Sequence, residues 1–248
     1  MKFVKLYKKE MRALAGLALL VIGITLFLDL FLQTRVDKWT PSTPEAASAA
    51  FFVVLPVWAV IALVYSVQQE WTGNTIYMLL SLPVRGSVII AAKLLAVLSW
   101  FVVLNLFRLV SFLLHFRSTL LWPESGSPMH LLAFWVGMLA FGYLLGMALF
   151  LVLMLFSMLA GRLAPKFCGA AAFGTMFVSG WALFRLTPII SKLFGWLPGT
   201  PVKVWGMHSG VLVMETVVLN TAHFVAIALL GAGFFALASM LVERQVEV

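Results

Sequence analysis

The residues that could do chemistry are few, and the first of them is an arginine in an unfavourable place. Arg108 lies inside a long apolar run, with Asn105, Ser111 and His115 near it at helical spacing, so the four form one polar stripe. An arginine held in lipid without a partner costs roughly 2.5–3.5 kcal/mol on insertion scales. It calls for a carboxylate, and the chain has only two aspartates, Asp29 and Asp37. Asp29, near the far end of the first apolar run, falls at a similar depth and is the expected partner. His223, with Asn220, falls at the same level in the last run. Asp29, Asn105, Arg108, His115 and His223 thus make a candidate intramembrane polar layer, read either as a structural ion pair or as the lining of a path.

Catalytic signatures are missing. No His is followed by Glu, as a zincin helix requires. Two aspartates do not supply a two-metal site. There is no Gly-x-Ser-x-Gly elbow, and Ser179-Gly180 with His223 makes only a forced dyad. No Gly-x-x-x-x-Gly-Lys-[Ser/Thr] loop is present, so the chain has no P-loop for ATP. The one cysteine, Cys168, allows no internal disulfide. The expectation is a chain with no catalytic residue, no metal site and no cofactor of its own.

One connection carries more information. It runs Glu70-Trp71-Thr72-Gly73-Asn74-Thr75-Ile76-Tyr77-Met78-Leu79-Leu80-Ser81-Leu82-Pro83-Val84-Arg85. Thr72 or Asn74 can cap a short helix, and Pro83 ends it. Ile76, Leu79 and Leu80 share one side. Such a helix fits a groove on a partner protein, or lies on the lipid surface. The residues alone leave both open.

The elements that must position these residues follow from composition. The 248 residues are 63% hydrophobic and 10% charged, with a mean hydropathy of +1.07. A soluble domain is nearer half apolar and a quarter charged, so the solvent here is lipid. That excludes a soluble enzyme, a nucleic-acid-binding domain, a disordered chain and a secreted disulfide scaffold. The net charge of +8 reads as anchoring against anionic lipid rather than as a nucleic-acid footprint.

Six apolar runs predict an all-α integral membrane protein, one transmembrane domain over 1–248 with spans at about 13–32, 47–67, 88–116, 131–159, 167–184 and 217–242. Pro56 should kink the second span. Gly142 and Gly146, spaced Gly-x-x-x-Gly, should permit close helix contact. Before the first span, Lys2, Lys5, Lys8, Lys9 and Arg12 alternate with apolar residues, which predicts an interfacial amphipathic helix over 1–12. A cleaved leader is disfavoured, because the small residues Ala47-Ser48-Ala49 lie far past the first run. The stretch 185–216 is broken by Pro188, Pro198 and Pro201 but is not polar, so short amphipathic or re-entrant helices are expected there.

Six spans put both termini on one side. If that side is the cytoplasm, ten basic residues lie inside and six outside, with Arg108 within a span.

The string Glu70, Gly73-x-Thr75, Leu79-Leu80-Ser81-Leu82-Pro83-Val84-Arg85, and then Lys93 early in the next span, resembles the cytoplasmic loop of the type-two ABC exporter permeases. The basic N-terminus, the six spans and the long stretch before the last also resemble that family in layout. The short link 33–46 is similar to its small members, which lack a large outer domain. The resemblance implies an elbow helix at Lys2–Arg12, a coupling helix at Gly73–Leu82, and re-entrant helices before the last span. It also implies that Glu70, Gly73, Thr75, Leu79, Leu80, Leu82, Pro83 and Arg85 meet a separate ABC ATP-binding subunit, which would hold ATP and Mg. A second permease subunit, in a homo- or heterodimer, would complete the path through the cell membrane. The cargo would be an amphipathic peptide, a lipid-like molecule or a drug. A stand-alone secondary transporter or channel is the alternative, and it would need free intramembrane carboxylates.

Overall fold

The computed structural model describes residues 2–35, 38–39, 43–72, 85–116, 129–208 and 211–244. In order, these form α1 (Lys2–Gln33), α2 (Thr43–Ala50), a 3-10 turn (Phe51–Val53), α3 (Val54–Thr72), α4 (Gly86–Phe116) and α5 (Met129–Gly161). A second 3-10 turn (Pro165–Phe167), α6 (Cys168–Leu193), strands β1 (Thr200–His208) and β2 (Val211–Leu219), and α7 (Thr221–Arg244) follow. Six helical stretches are long and apolar enough to cross a bilayer, and they fall on the six runs read from the sequence. The chain forms two compact units, one of 1–151 with 242–248 and one of 152–241.

In the first unit, α1 and α4 run parallel along each other, and α2 and α3 run antiparallel to both. The reason is visible in α1. Glu10, Leu14, Ala18, Val21, Thr25, Asp29 and Leu32 are all buried and recur every three or four residues, a single stripe. On α4 the matching stripe is Lys93, Val97, Phe101, Leu104, Arg108 and Ser111. Small residues (Ala18, Ala59, Ala62, Ala92 and Ala96, all fully buried) let the backbones approach closely. Most of each stripe is apolar, and its two ends carry charge.

Three expectations need correction. The elbow is not a separate interfacial helix: α1 is one helix of 32 residues. Nothing between Lys2 and Ala15 breaks a helix, and the segment is hydrogen-bonded to α4. Tyr7 Oη donates to Ser99 Oγ at 2.8 Å, and Trp100 Nε1 donates to the Met11 carbonyl at 3.0 Å. Second, the stretch 185–216 does not hold short re-entrant helices in the described residues. The fifth span continues to Leu193, and an antiparallel hairpin pairs Thr200 with Leu219 through His208 with Val211. Val202, Val204, Val211, Val213, Val217 and Val218 favour extended backbone, which also moves the start of the last span from 217 to Thr221. Third, an added Cβ on Gly142 or Gly146 would meet nothing within 4 Å, so among the described residues this pair mediates no close contact. Gly161 does: its Cβ would come within 2.7 Å of Ala172 Cβ, which explains the tight passage from α5 to α6.

The second span changes from α-helix to a 3-10 turn shortly before Pro56. Residue 56 has no N–H for the Phe52 carbonyl, and the backbone tightens to a 3-10 turn over Phe51–Val53. That turn sits against Arg108.

Candidate functional site

Asp29 of α1 and Arg108 of α4 meet directly, with Nη1 2.5 Å from Oδ2. Both are fully buried. Nη2 of Arg108 donates to both the carbonyl and the hydroxyl of Ser48, in the last turn of α2, where helix carbonyls lack intrahelical donors. Ser48 Oγ donates to Asp29 Oδ1 at 2.9 Å, and Ser111 Oγ donates to Asp29 Oδ2. The rings of Phe51 and Phe52 lie 5.8 and 5.5 Å from the guanidinium carbon, within cation–π range. Nε is buried without a hydrogen-bond partner. Three helices and the bent turn therefore converge on one guanidinium. Its planar fork answers a carboxylate and a carbonyl at once, in a fixed geometry.

The other residues of the sequence-derived layer divide. His115 Nδ1 lies 2.8 Å from the Ser111 carbonyl, one turn back on α4. Asn105 donates to the Phe101 carbonyl at 2.8 Å and is hydrogen-bonded to Tyr143 of α5. These two lie beside the ion pair and not in it. Among the described residues, Asn105 and Tyr143 are the polar side chains lining an apolar cleft of about 450 Å³, whose walls include Phe52, Leu109 and Leu144. His223 belongs to the second unit and is exposed near the start of α7.

A second buried cluster was missed in the sequence. Lys93 Nζ lies 3.2 Å from Glu10 Oε1, 2.9 Å from the Ser66 carbonyl and 3.1 Å from Ser66 Oγ. Ser66 Oγ donates to Glu10 Oε2 at 2.9 Å. All three residues are at most 5% exposed. Glu10 looked like one acid among interfacial lysines, and Lys93 like an anchor at a span's end. The available signal was that Glu10 keeps step with Leu14 and Ala18 on the buried stripe.

Along α1 the two clusters are about 28 Å apart, and along α4 about 22 Å, at 1.5 Å per residue. A hydrocarbon layer is about 30 Å thick, so the clusters sit towards its two edges. Ser66 belongs to α3 and Lys93 to α4, the helices on either side of the connection that carries the Leu-Leu-Ser-Leu-Pro motif. Gly73, Thr75, Leu79, Leu80, Leu82 and Pro83 lie outside the described residues, as does the Glu70 side chain. Arg85 is exposed, and its carbonyl accepts from the Val88 amide at 3.0 Å, starting α4.

Residues 1–177 match the family model described as ABC-2 family transporter protein. No curated protein and no solved structure matches the chain. The matched region holds α1 to α5, the first part of α6, both buried clusters and the motif-bearing connection. Members of this family are membrane components of ABC systems rather than ATPases, and typically work with an ATP-binding subunit. The chain is a multi-pass membrane protein that belongs to the ABC-2 transporter family, as a permease component of an ABC system.

Proposed function

We propose that this chain is the permease subunit of an ABC exporter in the plasma membrane, with both termini in the cytoplasm. Residues 73–82 would form the coupling helix, gripped by a separate subunit that binds ATP and Mg. Glu70 and Arg85 would bracket that contact. A second permease subunit, identical or not, would complete the path. The cargo would be an amphipathic peptide, a lipid-like molecule or a drug.

The observation that carries this reading is the Glu10–Ser66–Lys93 cluster. It ties α1 to the roots of both helices that flank the connection. A push on the connection would then move α1, α3 and α4 together instead of bending one helix alone. The far end of the same three-helix body carries Asp29 and Arg108, so motion at one membrane face reaches the other through packed helices. Rigid-body tilting of this kind is a known form of transporter switching. Phosphoryl transfer itself would need the P-loop and magnesium of the partner.

Among the described residues, the two buried carboxylates of the first unit, Glu10 and Asp29, are both committed to cations. That leaves neither free to bind a driving ion, which favours an ATP-driven permease over a stand-alone secondary transporter. Reconstitution decides. The chain should move cargo in vesicles only with its P-loop partner and ATP, and Leu79→Asp with Leu80→Asp should abolish co-purification of that partner. Transport by the chain alone under an ion gradient would end this reading.

A further inference from the structure

The second unit has a feature that a cargo path through the first does not use. A pocket of about 630 Å³ is lined by Leu183, Arg185, Pro188 and Lys192 of α6 and by His223 and Ile227 of α7. Its walls are mostly apolar and its rim is cationic. Arg185 and Lys192 are seven residues apart and so share a face of α6. Both are exposed, and among the described residues neither has an ion-pair partner. Residues 152–241 hold five Lys or Arg and one acid, Glu215, so the unit carries little that could neutralise them. Pro188 supplies no amide for the Phe184 carbonyl, which leaves an acceptor on the same wall.

Depth decides what fits. Arg162 and Lys166 lie just before α6 and mark one edge of the bilayer. From Cys168, Arg185 is about 26 Å and Lys192 about 36 Å along the helix axis. With a hydrocarbon layer of about 30 Å, the two cations straddle its other edge, where lipid phosphates lie. Leu183 and Ile227 fall on the hydrocarbon side. The Trp181 ring, one turn deeper on α6, lies 5.9 Å from the Arg185 guanidinium carbon, within cation–π range.

We propose that this pocket is a binding site for an anionic phospholipid, with its phosphate on Arg185, Lys192 and His223 and an acyl chain against Leu183 and Ile227. The site needs only that the chain spans a bilayer and does not depend on the permease reading.

The test uses the full-length protein in micelles holding equal parts phosphatidylglycerol and phosphatidylcholine. After a delipidating wash, retained lipid is read by native mass spectrometry. Phosphatidylglycerol should be kept in excess. Arg185→Ala with Lys192→Ala should weaken its retention roughly thirtyfold, from the loss of two interfacial cations. The same loss of charge at the exposed Lys5 and Lys8 should not. Ile227→Trp fills the apolar wall, leaves both cations in place and should also displace the lipid. Equal loss in both charge variants, retention unchanged by Ile227→Trp, or displacement by glycerol phosphate alone would each overturn the site. The last two arms need no charge variant, so a folding failure of the double alanine protein still leaves the question decided.

Discussion

The two buried ion pairs of the first unit join the same two helices but solve the problem of burial differently. Asp29–Arg108 is a fixed assembly: a planar cation with its donors aimed at a carboxylate, a hydroxyl and a carbonyl, under two aromatic rings. Glu10–Lys93 is a looser one. An ammonium on a flexible stem shares three oxygens from two helices, at 2.9 to 3.2 Å. Arginine's fork is pre-organised, whereas lysine's point charge can follow its partners as they shift. The comparison teaches that one membrane edge is pinned and the other is tied but compliant. The compliant edge is the one next to the connection proposed to receive the push.

The largest expected effect follows from what each cation can do when left alone. Asp29→Ala strands an arginine that cannot give up its proton in an apolar site. Breaking a buried pair in this way costs about 3–5 kcal/mol. Thermal unfolding of the purified protein, followed by the fluorescence of its nine tryptophans, should show a large drop in Tm or a loss of folded protein. Adding Arg108→Met should restore most of the loss, since an apolar pair of similar volume is often neutral or better. If the double variant is no more stable than Asp29→Ala, the cost lies elsewhere than in the stranded charge.

Glu10→Ala should be milder. The lysine it leaves behind, Lys93, keeps both Ser66 oxygens as acceptors. A loss of about 1–3 kcal/mol is expected, the range for an unpaired buried polar group. Equal losses for Asp29→Ala and Glu10→Ala in the same unfolding assay would erase the distinction between a pinned and a compliant edge. In a complex with the proposed ATP-binding subunit, Glu10→Ala should lower cargo moved per ATP hydrolysed more than Asp29→Ala does in whatever protein remains folded.

How much of this the sequence discloses depends on the length scale of the signal. The spans are legible because about twenty apolar residues in a row have few other meanings. Asp29 could be matched to Arg108 because a buried arginine needs an acid and the chain offers almost none. Ser48, Phe51 and Phe52 could not be assigned to that site, since they reach Arg108 only through the turn that Pro56 induces. The lysines around Glu10 made an amphipathic surface helix the natural reading. What decided its place was tertiary, namely Lys93 and Ser66 waiting on two other helices. The hairpin was misread for a different reason. Ser209-Gly210 between two β-branched runs is a hairpin signal, but the second run merges without a break into the apolar start of the last span.

The smallest expected effect tests the comparison most finely, because it sets one hydroxyl against another. Ser66 and Ser111 each donate to a buried carboxylate, at 2.9 and 2.5 Å. Among the described residues the Ser111 hydroxyl bonds only the carboxylate of the pair, and Asp29 retains Arg108 and Ser48 when it is lost. Ser66 Oγ also accepts from Lys93, so it closes the contact between acid and base. Losing a hydrogen bond costs about 1 kcal/mol, and leaving a buried partner unsatisfied costs more. Ser66→Ala should therefore lower Tm more than Ser111→Ala, although both remain folded. The gap should close in a Glu10→Ala background, where Ser66 no longer has a carboxylate to serve, and should persist in an Asp29→Ala, Arg108→Met background. If Ser111→Ala proves the more damaging, the looser cluster is not held by its shared hydroxyl, and its compliance has another source.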